Sequence, residues 1–400
     1  VISLGSQYLQ GSFYKPGKEV PPLRQIDCTL LRCDPTRDEN ACGLLQMQHS
    51  VPPEVLYSAY WYRSGTNNTM QAHLREIAET AQAMLGKTDA VVLDIGCNDG
   101  TLLNKYPENF KKFGIDPSDV AAEIKGNIKV FQDLFPSEEL KQQLGDMKCD
   151  IITAIAMFYD LEDPVQFAKS IKDILAEDGI WIIEMSYMPK MLEMNSYDTI
   201  CHEHLEYYSL AVIEKIMSRA ELKVVRAELN DINGGSLRCY ISHTTSFKYK
   251  NEEWLRQVRK LHQEEFDLEL DTDKPYRNFQ DRINVHRDKL TNLLKNLKKD
   301  GKTVHIYGAS TKGNTILQWC GIDNRLIDFA SERNPDKFGA YTIGTEIPII
   351  SEEESRKMKP DYYLVLPWHF ADEFIEREKP LLQSGAGMIF PLPEINIVKH

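Results

Sequence analysis

Three stretches of this 400-residue chain combine residue types and spacings that can do chemistry. The first is Val92-Leu93-Asp94-Ile95-Gly96-Cys97-Asn98-Asp99-Gly100, an apolar run into Asp, then a Gly-x-x-x-Gly turn, with a helix expected from Thr101-Leu102-Leu103. Glycine belongs where backbone passes close to a ligand and no side chain can intervene. Asp116 follows at the end of the next apolar run, where a carboxylate can accept both hydroxyls of a ribose. The turn lacks the Gly-x-Gly-x-x-Gly spacing of a dinucleotide site. Asp94 and Asp99 would repel a pyrophosphate, yet suit a ligand carrying a positive amino or sulfonium group. The second stretch runs from Tyr197 to Ser209 and contains His202-Glu203-His204. Two imidazoles and a carboxyl offer a base that titrates near neutrality and a group to orient it. The same His-x-His could place two imidazoles on one side of an extended strand for zinc, or serve as ordinary core or surface histidines.

The third stretch, Tyr307-Gly308-Ala309-Ser310-Thr311-Lys312-Gly313-Asn314-Thr315, follows a strand and opens a helix. Backbone N–H groups at such a point can cradle an anion, and Lys312 with the Ser310 and Thr315 hydroxyls suits a diphosphate. Its glycine spacing is wrong for a dinucleotide, and no carboxylate is apparent after the next strand. Trp368 and His369, beyond Pro367, are candidates to line a base pocket or to lie in the core.

These residues need elements to hold them. Residues 1–69 read as a turn-rich N-terminal lobe. Over 70–245, a helix (Met70, Leu74, Ile77, Ala78, Ala81) leads into alternating strands and helices. The strands are expected at Val91–Ile95, Phe113–Asp116, Ile128–Phe131, Cys149–Ala156 and Gly179–Glu184, the signature of a doubly wound parallel sheet. Leu222–Leu229 and Ser236–His243, joined through Asn233-Gly234-Gly235, read as a closing antiparallel pair. Residues 246–300 are charged and helical, divided by Pro275, and read as a solvated connector. Over 301–400 the alternation restarts as a smaller, Rossmann-like α/β unit, with strands at Val304–Tyr307, Leu326–Ala330 and Asp361–Leu366.

The donor-type turn, Asp116 and the strand order resemble the class I methyltransferase fold. That resemblance implies S-adenosylmethionine as cofactor, with Gly96, Asn98 and Gly100 on its amino acid part, Asp116 on the ribose and Asp133-Leu134-Phe135 at the adenine. Tyr60-Trp61-Tyr62-Arg63-Ser64-Gly65, His202-Glu203-His204, Gly234-Gly235-Ser236 and Tyr307–Thr315 occur in the same order in the three-domain sugar C-methyltransferases, so the chain resembles that family along almost its whole length. The family methylates a nucleotide-linked 4-keto-deoxysugar at the carbon beside the ketone. The resemblance implies His204 as the base, with Glu203 or His202 orienting it or binding a sugar hydroxyl. Tyr60 and Tyr62 would hydrogen-bond the developing oxyanion. Asn233, Ser236, Ser310, Lys312, Asn314, Thr315 and Trp368 would bind the substrate. Two departures fall near the reacting carbon: Cys201 stands where relatives carry Tyr, and Phe158-Tyr159-Asp160 where they often carry a His. At the N-terminus, Cys33 and Cys42 match the second half of the family's four-cysteine zinc site, with Cys28 a substitute ligand. The first cysteine pair would fall before Val1, where native residues are expected, so the zinc site reads as incomplete.

A net charge of −13 argues against a nucleic-acid partner, which needs clustered Lys and Arg. No apolar run approaches the roughly 18 to 20 residues that cross a membrane, and scattered cysteines suit a reducing cytoplasm. Two other functions fit less of the pattern. An O- or N-methyltransferase needs a base facing a hydroxyl or amine rather than a ketone, and a donor-binding regulator needs no His-Glu-His element.

Overall fold

The computed structural model describes residues 1–17, 24–38, 40–52, 55–56, 63–66 and 68–399. Three main sheets organise them. In the first, Ile2–Gln7, Ile26–Arg32 and Leu45–Met47 pair antiparallel, and the fourth strand is Glu206–Tyr207, from just beyond His204. The N-terminal lobe is thus stitched to the segment that carries the His-Glu-His element.

The central sheet has seven strands, in the order Leu222–Asn230, Ser236–His243, Leu175–Ser186, Cys149–Ile155, Val91–Ile95, Lys111–Ile115, Ile128–Phe131. The last five are parallel, and Ser236–His243 runs antiparallel to both of its neighbours. Helices cover both faces, so the inner strands are apolar almost throughout: every residue of Cys149–Ala154 is buried. This is the expected class I methyltransferase arrangement with its closing antiparallel pair.

The C-terminal sheet runs Ile349–Ser351, Phe329–Glu332, Val304–Tyr307, Tyr362–Val365, Gly387–Phe390, Asn396–Val398, parallel but for the last strand. Strand order reverses beside Val304–Tyr307 here and beside Val91–Ile95 in the central sheet. In open α/β sheets ligands bind in the crevice at the carboxyl ends of strands at such a reversal. The two crevices face one another.

The charged helical pair corrects the expectation of a solvated connector. Glu252–Asp267 packs on Leu222–Asn230, and Lys274–Lys299 has Pro275 in its first turn, where a missing N–H costs nothing. The long helix buries Tyr276, Phe279, Ile283, Leu290 and Leu294 in one apolar core shared by the N-terminal sheet and the C-terminal domain. Among the described residues no helix is long and apolar enough to cross a membrane.

Candidate active site

The facing crevices form one cavity of about 800 Å³. At the central-sheet end, Asp94, Gly96 and Asn98 line it from the first strand and its turn. Asp116 directly follows the second strand. One of its oxygens accepts the Asn98 N–H at 2.9 Å, and the other accepts the Ser118 N–H at 2.8 Å and hydroxyl at 2.5 Å. Asp133, Leu134 and Phe135 form the wall beyond the third strand. Burial pushes the Asp94 carboxyl up to about 7; the Thr153 hydroxyl, 2.6 Å away, opposes the rise and the charge of Asp116 adds to it. Gly96 has φ +73°, and a Cβ there would lie 3.2 Å from Met157 Cγ, so glycine keeps this approach open. Gly100 and Asp99 lie outside the cavity wall. Gly100 faces Ile124, and Asp99 accepts N–H bonds from Thr101 and Gly65. Asn98 Oδ1 accepts the Ser64 N–H at 3.0 Å, which pins the N-terminal lobe to the glycine turn. Sequence reasoning missed Glu184, a buried cavity residue. Burial raises its carboxyl pKa, but His73 at 2.5 Å and Arg238 at 2.7 Å outweigh that and hold it below the usual range.

The His-Glu-His element splits. Its chain turns, with the His204 N–H bonded to the Cys201 carbonyl, so the two imidazoles do not share a side. His204 lines the cavity; its Nδ1 donates to the Thr199 carbonyl at 2.8 Å, which leaves Nε2 as the acceptor. Burial, reinforced by the charge of Lys312, pushes its pKa down to about 3, so the ring is neutral at physiological pH. The Tyr159 ring packs against it at 4.2 Å between centroids. Glu203 lines the same cavity and burial pushes its carboxyl up to about 7. His202 lies outside the cavity wall, against the N-terminal lobe: its ring nitrogens are 2.6 Å from Gln10 Oε1 and 3.1 Å from the Ile26 carbonyl oxygen, with Cys28 Sγ 3.4 Å away. Neither His202 nor Glu203 orients His204; the Thr199 carbonyl does. The zinc alternative for this element fails with that split.

At the opposite end Ser236, Asn233, Ser310 and Lys312 line the cavity. Asn314, Thr315 and Trp368 do not. The Asn314 amide donates to the Gln10 carbonyl at 2.7 Å, the Thr315 hydroxyl to the Ile200 carbonyl at 3.3 Å and the Trp368 indole to Asp198 at 2.9 Å. All three are spent holding the C-terminal domain against the other two layers. The expected anion cradle is also partly occupied from within. Ser310 Oγ accepts the Gly313 N–H at 3.0 Å as a helix cap, and Glu332 accepts the Ala309 N–H at 3.1 Å. Glu332 corrects a second point, because a carboxylate does end the next strand, two residues beyond the strand end read from sequence. His369 lines the wall with no hydrogen-bond partner for its buried Nδ1.

Tyr60 and Tyr62 lie outside the described residues. Cys33 and Cys42 are neighbours, the Cys42 N–H meeting Cys33 Sγ at 3.3 Å, while Cys28 is buried beside Gln10 and His202 instead of joining them. Among the described residues no group of three or more His, Cys, Asp or Glu could hold a metal ion, so the residues present do not fit the family's zinc.

Two family models match: a methyltransferase domain over residues 67–227 and a C-methyltransferase C-terminal domain over residues 231–393. The C-methyltransferase NovU of Streptomyces niveus is 28% identical over 412 aligned residues, covering 100% of this chain and 94% of its own. The chain is an S-adenosylmethionine-dependent methyltransferase and is similar along its whole length to a C-methyltransferase. Among solved structures, a methyltransferase from Clostridium acetobutylicum ATCC 824 overlaps 45% of the enzyme and 93% of its own chain, at 12% identity and a TM-score of 0.33. The N-methyltransferase NodS from Bradyrhizobium japonicum WM9 overlaps 44% and 98%, at 14% identity and a TM-score of 0.35. The central-sheet end of the enzyme's cavity suits the cofactor: Asp94 is a buried carboxyl that no Lys or Arg among the described residues neutralises, and Gly96 leaves room beside it.

Proposed function

We propose that the enzyme methylates the carbon beside the ketone of a nucleotide-linked 4-keto-deoxysugar. The observation that carries this reading is the single cavity in which His204 and Glu203 stand between a methyl-donor crevice and a second Rossmann-like crevice. S-adenosylmethionine supplies an electrophilic methyl group on a sulfonium. Asp94, Gly96 and Asn98 hold its amino acid part, Asp116 its ribose and Asp133-Leu134-Phe135 its adenine. His204 Nε2 takes the proton from the carbon next to the ketone, and the electron pair moves into the enolate. The enolate carbon bonds to the methyl as the carbon–sulfur bond breaks, and positioning within one cavity supplies much of the rate. Tyr60 and Tyr62 hydrogen-bond the oxyanion. Asn233, Ser236 and Ser310 contact the sugar nucleotide. Glu203, poised near neutrality, binds a sugar hydroxyl.

The test uses the purified enzyme, a panel of nucleotide-linked 4-keto sugars and the donor, with mass spectrometry for a gain of one methyl. With an inert donor analogue in heavy water, deuterium should enter the carbon beside the carbonyl. His204→Asn should keep both ligands bound while turnover and exchange fall by about a hundredfold to ten-thousandfold. Equal exchange in variant and wild type moves the base to Glu203. Methylation of a hydroxyl, with no exchange, overturns the C-methylation of a keto sugar.

A further inference from the structure

We propose that Lys312 is a catalytic cation whose ammonium faces the substrate's carbonyl oxygen and holds the negative charge that develops as the neighbouring carbon loses its proton. The inference rests on the keto-sugar reading above.

Lys312 stands in the first turn of the helix whose start sequence reasoning gave to a diphosphate, but several hydrogen-bonding groups of that segment are committed elsewhere. The Ala309 N–H goes to Glu332, the Gly313 N–H to Ser310, the Asn314 amide to Gln10 and the Thr315 hydroxyl to Ile200. A carboxylate, Glu332, lines the same cavity and lies 3.7 Å from Lys337, so that second cation already has a counter-charge. Of the three residues by which this segment lines the cavity, Ser310, Thr311 and Lys312, only Lys312 carries a charge. Its Nζ donates to the Asn233 carbonyl at 3.1 Å, one of the three N–H bonds an ammonium can make.

That contact fixes the charge close to the reacting groups. Asn233 sits at the tip of the hairpin before Ser236, and Gly234 beside it packs on Trp368. Trp368 is bonded to Asp198, and the next residue, Thr199, holds His204 by its carbonyl. Lys312, the hairpin and the base are therefore parts of one packed seam. The ammonium is near enough to depress the basicity of both His204 and His369. In the resting enzyme this opposes protonation of His204, which would create a second cation near the first. Proton abstraction changes the balance, because the enolate oxygen brings a negative charge between imidazolium and ammonium. A cation already fixed at that point stabilises the charge with little reorganisation, as oxyanion-binding groups do. The C–H electron pair becomes the enolate, the proton resides on His204 Nε2, and Lys312 exchanges no proton.

The experiment compares wild type, Lys312→Gln and Lys312→Arg on an accepted keto sugar nucleotide. It measures kcat and KM, deuterium entry beside the carbonyl, and calorimetric binding of the nucleoside diphosphate lacking the sugar. For Lys312→Gln, kcat and exchange should each fall by about a hundredfold to a thousandfold. Nucleoside diphosphate affinity should stay within about twofold, and Lys312→Arg should recover part of the exchange. A raised KM at preserved kcat, with nucleoside diphosphate affinity down tenfold or more, overturns the proposal and returns Lys312 to the diphosphate. If Lys312→Gln melts below the assay temperature, Lys312→Met is read in its place by the same two criteria. Wild-type enzyme that neither methylates nor exchanges any keto sugar overturns the underlying reading. Normal wild-type exchange matched by Lys312→Gln overturns the role of Lys312 alone.

Discussion

Donor binding should release a proton from Asp94. In the ligand-free enzyme, burial holds this carboxyl up at about 7, against an ordinary value of 3.8. A bound cation beside it would favour the ionised form and return it toward the ordinary value. A shift of about three pKa units corresponds to about 4 kcal/mol of coupling between proton and donor. The sign follows from which form binds: below pH 7 the free enzyme is protonated and the complex is not. Binding at pH 6 should therefore release about 0.9 proton, and at pH 8 about 0.1. Affinity should fall about fiftyfold from pH 7 to pH 5. Calorimetry in buffers of different ionisation enthalpy reads the released proton directly, and Asp94→Asn should abolish it. Affinity that is flat between pH 5 and 7, with no buffer dependence, would refute the coupling. Release that persists in Asp94→Asn would assign it to another group, Glu203 first. The raised pKa also affects folding. The native state retains the Asp94 proton over the window from the ordinary value to about 7, so the stability of the donor-free enzyme should fall as pH rises through it.

Two further substitutions test the site from its edges. A Cβ on Gly11 would lie 1.8 Å from Glu203 Oε1, so Gly11→Ala must displace that carboxyl; turnover should drop by about tenfold to a hundredfold with donor affinity unchanged, measured by kinetics and calorimetry. Asn314→Ala leaves the Gln10 carbonyl without its amide partner and should cost about 1–3 kcal/mol of stability in a denaturant melt. Nucleoside diphosphate affinity should not move, and a loss of affinity at constant stability would restore Asn314 to the ligand.

What the sequence revealed was local. Asp94, the glycine turn and Asp116 lie within two successive strands, so apolar runs ending in Gly and Asp were enough to place them along one crevice. Asn314, Thr315 and Trp368 show the opposite case. Their side chains suit a ligand, but they are consumed by Gln10, Ile200 and Asp198, partners supplied only by tertiary packing. His202 and His204 would share a side in an extended strand, and the turn at Cys201 separates them. The buried face of Lys274–Lys299 was legible: Tyr276, Phe279, Ile283, Leu290 and Leu294 recur at helical spacing. The abundance of charge around them obscured it. Glu332 was missed because the strand before it runs two residues further than its apolar run suggests.

The Glu206–Tyr207 strand that completes the N-terminal sheet has a consequence for how the chain is made. Leu45–Met47 leaves the ribosome well over a hundred residues before its partner exists, so during synthesis that edge stays open. The lobe cannot be finished as the first domain and then left alone. It closes only when the segment bearing Glu203 and His204 has been translated, and the same pairing that ends the exposed edge sets Glu203 against Gly11 and both residues on the cavity wall. Closure of the lobe and assembly of the cavity wall are therefore coupled, and a chain stalled or cut before Tyr207 would expose an unpaired strand edge to aggregation.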